Sequence, residues 1–168
     1  MFGISPLGWV HTLGSLPAIP VAAYMLIRHG RIVPMSKPGA VYFVTMLVGC
    51  VTIFPIARAP VAKPIALLTM ALLFLGYGIG RTTRFRRATR YIEVISLSIT
   101  AFLLMLPSVS ETLRRVPNGH PFVTDVNSPV LKGAMAGLLV ALLLGVATQI
   151  IFLRRGRLHP TPQSPGMA

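Results

Sequence analysis

Charge is scarce in this chain. Charged residues fill 11% of its 168 positions, and only three of them, Glu93, Glu111 and Asp125, are acidic. A water-soluble domain carries about a quarter charged residues, so this chain has too little polar side chain to coat a soluble particle. Cysteine is nearly absent too. Cys50 stands alone inside an apolar run, which excludes an intrachain disulfide and a cysteine metal cluster and marks it as a small buried residue. Catalytic, metal and nucleotide constellations are also lacking. The run GYGIG at 76–80 closes an apolar stretch with no strand before it, so the context of a dinucleotide loop is missing.

What the chain has is apolar length. A helix crosses the hydrocarbon core of a bilayer with about 20 mostly apolar residues. Five stretches meet that need, at 6–27, 40–57, 61–80, 91–107 and 130–153. Lys63 falls near the start of the third, where its long side chain can snorkel. The first stretch has no basic residue before it and the cluster Arg28, His29, Arg31 after it. That order is the reverse of a secretory signal and predicts an uncleaved first helix. Pro17 and Pro20 predict a kink within it. The expected fold is all-α: one integral membrane bundle of five transmembrane helices over 1–157. A disordered tail is expected at 158–168, with Pro160, Pro162 and Pro165.

Basic residues set the expected orientation. Arg28, Arg31, Lys37, Arg81, Arg84, Arg86, Arg87, Arg90, Arg154, Arg155 and Arg157 fall on one side of the alternating spans. Arg58, Lys63, Arg114, Arg115 and Lys132 fall on the other. The positive-inside rule places the richer side in the cytoplasm, giving an N-out, C-in chain whose basic clusters meet anionic headgroups at the cytoplasmic face. The net charge of +13 therefore points to the bilayer. Nucleic acid is not an expected partner, because a nucleic-acid binder clusters its Lys and Arg on a water-facing surface.

The connection 108–129 is the longest outside the spans. Pro107 is expected to end the fourth helix, and Ser108 with Glu111 has capping-box spacing. The pattern thus predicts a short interfacial helix over 108–116 at the outer face, followed by a break at Pro117, Asn118, Gly119 and Pro121.

Intramembrane polar residues are the candidates for chemistry. Glu93, Ser96 and Thr100 stand at i, i+3 and i+7 of the fourth helix, on one face. A carboxylate there is costly and faces protein. It serves either as an interfacial anchor paired with Arg90 or Arg86, or as a proton or ion carrier. His11 and Ser15 share a face near the outer end of the first helix. His11 is either an axial ligand of a b-type haem, which needs a second histidine at similar depth, or a hydrogen-bonded histidine. His120 and Glu111 are the outer-face candidates, and Glu111 is the expected partner of His11. No metal or catalytic set is expected, and no cofactor beyond that haem alternative. Small residues mark packing faces: Thr45, Gly49 and Thr52; Gly76 and Gly80; Gly133 and Gly137. Their expected use is close helix contact within the bundle.

The stretches SPLGWVHTLGSLPA at 5–18, YFVTML at 42–47, GRTTRFRRATRYIE at 80–93 and PSVSETLRRVPNGHP at 107–121 carry a resemblance. The chain resembles small uncharacterised bacterial multi-pass membrane proteins grouped as a domain of unknown function. The resemblance implies a helical bundle in a bacterial inner membrane and no activity. In such relatives a His-Arg-x-x-Gly pattern precedes the second helix. Here the segment reads MSKPGAVYF, with Gly39 and no histidine. The leading functional expectation is a non-enzymatic accessory or scaffold protein, or a binder of a small apolar ligand, with a membrane-protein partner or a second copy of the chain. The alternatives are a proton- or solute-handling transporter using Glu93, and a haem electron-transfer protein using His11.

Overall fold

A computed structural model of the chain describes residues 6–57, 60–79, 86–116 and 120–155. The expected tail at 158–168 and Gly80 lie outside the described residues. Six helices follow in order: α1 Pro6–Ser15, α2 Ala18–His29, α3 Lys37–Ile56, α4 Ala62–Ile79, α5 Arg86–Arg115 and α6 Pro129–Arg154. Among the described residues there is no strand. Helices α1 and α2 together form one span, and α3 to α6 supply four more, each long and apolar enough to cross a membrane. Even the shortest, 18 residues in α4, reaches roughly 27 Å at 1.5 Å per residue.

The junctions follow from local chemistry. Pro17 and Pro20 have no N–H to donate, so the ladder is interrupted between α1 and α2. There the Ile19 N–H reaches the Leu16 carbonyl at 3.2 Å instead. Gly30 ends α2 at φ 67°, its N–H on the Leu26 carbonyl at 2.9 Å; this left-handed cap favours glycine. The segment after it turns inward, burying Ile32 and Val33. Ser36 then caps α3, accepting from the Gly39 N–H at 3.0 Å. Gly39 is required by space, because a Cβ there would collide with the Val33 carbonyl oxygen.

One boundary differs from expectation. Pro107 does not end its helix, and no separate interfacial helix begins at Ser108; α5 runs through both to Arg115. Proline removes one helical hydrogen bond without stopping a helix whose neighbouring groups are satisfied. Here Ser108 is no N-cap: its hydroxyl bonds back to the Leu104 carbonyl at 2.7 Å. The far end of α5 is instead closed by the connector, whose Phe122 and Val123 N–H groups donate to the Val116 and Leu113 carbonyls at 3.1 Å each.

Packing divides the bundle into a ring and an outrigger. The span α1–α2 lies on α3, α3 on α4 and α4 on α5, and a contact between α2 and α5 closes the ring. Its core joins Ala18, Ala22 and Met25 of α2, Ile32 and Val33, Tyr42 and Met46 of α3, Leu73 of α4 and Leu97 of α5. Glycines allow the close approaches: a Cβ on Gly14 would lie 2.6 Å from Val48, and one on Gly76 would lie 2.6 Å from Leu97. Helix α6 stands outside the ring, packed on α5. Gly133, Gly137 and Gly145 meet nothing within 4 Å, so the close packing expected at Gly133 and Gly137 is not made within the chain. Leu139, Val140, Leu143 and Leu144 are likewise exposed.

Candidate functional site: a side groove held by a polar clasp

The outrigger position of α6 leaves an open groove between it and α2, of about 730 Å³. Leu26, Ile27, His29 and Gly30 form one wall. Leu144, Gly145, Thr148, Gln149 and Phe152 form the other. The walls are mainly apolar, and Gly145 keeps the groove open because no side chain fills the space it faces. The Thr148 hydroxyl is turned back on the Leu144 carbonyl at 2.7 Å, so it brings no free proton into the groove.

Gln149 closes the base of the groove and is almost fully buried. Its amide nitrogen donates to the Gly30 carbonyl at 2.9 Å, and its oxygen accepts from the Ser98 hydroxyl at 2.8 Å. One side chain thus ties α6 to the end of α2 and to α5. A buried amide in a span must satisfy both ends, and here both ends are satisfied. Its signal in the sequence is a lone amide in an otherwise apolar run, of the class of intramembrane polar residues that mark helix contacts, and it is absent from the candidates above.

Glu93 lies beside this base. It accepts from the Arg31 guanidinium at 2.8 Å, with side chains 13% and 12% exposed for Arg31 and Glu93. The hydrogen-bonded partner comes from the α2–α3 connection; Arg90, expected from the preceding turn of α5, is near enough to attract the carboxylate but makes no ion pair with it, and the Arg86 side chain lies outside the described residues. Ser96 and Thr100 share the buried face of α5 with Glu93. Thr100 gives its hydroxyl proton to the Leu97 carbonyl at 2.8 Å, so the Tyr42 hydroxyl, at 2.9 Å, is the donor to Thr100. Tyr77 adds a bond to the Gly39 carbonyl at 2.5 Å. Among the described residues no buried side-chain nitrogen or oxygen lacks a hydrogen-bond partner.

The outer-face candidates are not brought together as expected. His11 Nδ1 lies 2.8 Å from the Thr52 hydroxyl, which itself donates to the Val48 carbonyl at 2.6 Å. The ring N–H therefore sits on Nδ1 and donates to Thr52, leaving Nε2 as the unprotonated nitrogen of neutral His11. Ser15 bonds back to the His11 carbonyl at 2.6 Å. Glu111, the expected partner of His11, pairs with Arg115 one turn along its own helix, where both side chains are exposed and charge pairing needs no long-range packing. His120 is exposed in the α5–α6 connector. Among the described residues no group of three His, Cys, Asp or Glu side chains is placed to hold a metal ion.

No protein-family model, curated protein or solved structure matches the chain. The geometry alone carries the functional reading.

Proposed function

We propose that the chain is a small non-enzymatic protein of a bacterial inner membrane that holds an apolar or amphiphilic ligand in the groove between α2 and α6. The observation that carries this reading is the groove itself. Its volume falls within the roughly 300–1,000 Å³ of small-molecule sites, which are likewise mostly apolar with a few fixed polar groups. It opens sideways, where lipid-soluble molecules arrive. Its base is held by the Gln149 bonds, which tie α6 to the end of α2 and to α5. The Arg-rich side is placed in the cytoplasm and the N-terminus outside, a reading supported by the excess of Arg and Lys in the connections on that side.

The test is direct. Wild-type protein purified in mild detergent is expected to carry a stoichiometric lipid-like molecule into an organic extract. Gly145→Leu, whose Cβ meets open space and whose side chain adds bulk to the groove wall, is expected to lose it. Equal extracts from the two proteins would count against the reading.

A second reading, an accessory or scaffold protein, draws on α6. Glycines weaken a helix by about 1 kcal/mol each relative to alanine, and Gly133 and Gly137 are not used for packing within the chain. Their spacing suits close contact with another membrane span, and the reading predicts a stoichiometric partner or dimer in mild detergent that Gly137→Leu disrupts. The transporter alternative needs Glu93 to change charge while its carboxylate is held by Arg31. The haem alternative would use Nε2 of His11 and predicts a Soret band in purified protein.

A further inference from the structure

We propose that the occupant of the α2–α6 groove is one anionic phospholipid, with an acyl chain along Leu26, Ile27 and Leu144 and its phosphate at His29 and Arg155. This inference rests on the ligand-binding reading above and names its ligand. Three observations carry it.

The first is polarity along the groove. Its walls are apolar over Leu26, Ile27 and Leu144, and His29 stands at the end of the α2 wall. An amphiphile has the same order of parts, with a tail toward the membrane centre and a polar head at the interface.

The second is register. Thr148 and Phe152 line the groove, and Arg155 stands seven residues after Thr148 and three after Phe152, which continues that face of α6. Arg155 closes α6 with its N–H on the Ile151 carbonyl at 3.0 Å, so its side chain leaves the helix one turn past the groove. Across the groove His29 ends the α2 wall, and the exposed Arg28 precedes it in the chain.

The third is charge. Arg28, Arg154 and Arg155 are exposed and have no acidic partner among the described residues; the carboxylate nearest the base, Glu93, is taken by Arg31. The Thr148 hydroxyl proton is used within the chain, and Gln149 is almost fully buried at the base with both ends of its amide bonded. Recognition of the head therefore falls to cations. A zwitterionic head would bring an ammonium into that cluster, whereas a phosphate diester without one is attracted on every side. The guanidinium fork of Arg155 suits phosphate oxygens.

The experiment measures lipid retention by native mass spectrometry of the purified protein. The probes are dioleoyl phosphatidylglycerol, dioleoyl phosphatidylethanolamine and dioleoylglycerol, each added to delipidated protein. Wild type is expected to retain phosphatidylglycerol about fivefold better than phosphatidylethanolamine, the effect of about one basic side chain near a headgroup. Arg155→Ala is expected to bring the two to parity and Arg155→Lys to restore most of the preference. Inorganic phosphate in excess should displace nothing. Equal retention of the two phospholipids by wild type, an unchanged preference in Arg155→Ala, or displacement by inorganic phosphate would each overturn the proposal. In those cases, loss of dioleoylglycerol in Gly145→Leu would still uphold the groove as a ligand site. If all three probes bind Gly145→Leu as well as wild type, the groove reading fails together with this one.

Discussion

Breaking the Arg31–Glu93 pair tests how the ring of helices is held. The two side chains meet at 2.8 Å and are 13% and 12% exposed, so neither charge is rescued by solvent when its partner is removed. Losing one partner of a fully buried pair costs about 3–5 kcal/mol, and an exposed pair is worth about 0–1 kcal/mol. This pair is closer to the first limit, and Glu93→Ala or Arg31→Ala should each cost about 2–3 kcal/mol. Glu93→Gln retains an oxygen for Arg31 and should cost about half of that. The double variant Arg31→Met with Glu93→Leu removes both charges and should return to within about 1 kcal/mol of wild type. The assay is reversible unfolding in mixed micelles with increasing dodecyl sulfate, followed by helical circular dichroism. Single variants that each cost less than about 0.5 kcal/mol and simply add would show that the pair does not hold the ring, because contacting charges must couple.

Other consequences can be checked in the same system. Gly39→Ala should destabilise by about 3 kcal/mol or prevent folding, since its Cβ would strike the Val33 carbonyl; a wild-type unfolding midpoint would disprove the close approach. Gly145→Leu should be neutral or up to about 1 kcal/mol stabilising, whereas Gly76→Leu, facing Leu97, should be destabilising by about 1–3 kcal/mol. Gln149→Leu removes the bonds to Gly30 and Ser98 and should cost about 1 kcal/mol; spin labels on α2 and α6 should then report a wider distance distribution, and an unchanged one would deny the clasp its role. For orientation, a single cysteine at Val126 in a Cys50→Ser background should react with an impermeant maleimide added to intact cells, and one at Arg155 should not. The opposite pattern would reverse the assignment.

The spans were legible because twenty or so apolar residues have few alternatives, and the interruption near Pro17 because proline cannot donate. The end of α5 was not. Pro107 lacks only the N–H that would bond the Leu103 carbonyl, and α5, packed on α4 and α6, continues through it to Arg115. The buried face of Glu93, Ser96 and Thr100 followed from helical period alone. Their partners did not, because Arg31 lies 62 residues from Glu93 and Tyr42 lies 58 from Thr100. Such pairings arise from packing and leave no local trace. For the same reason the open side of α6 was invisible, since its glycines have the spacing of tightly packed ones.

If the space between α2 and α6 is a ligand site, a cryo-electron-microscopy map of the protein in a lipid nanodisc should show it occupied. Elongated density is expected over Leu26, Ile27, Leu144 and Gly145, with α6 still tied to Gly30 through Gln149. A map in which α6 lies flat against α2, with Gly145 in helix contact and no groove, would contradict it.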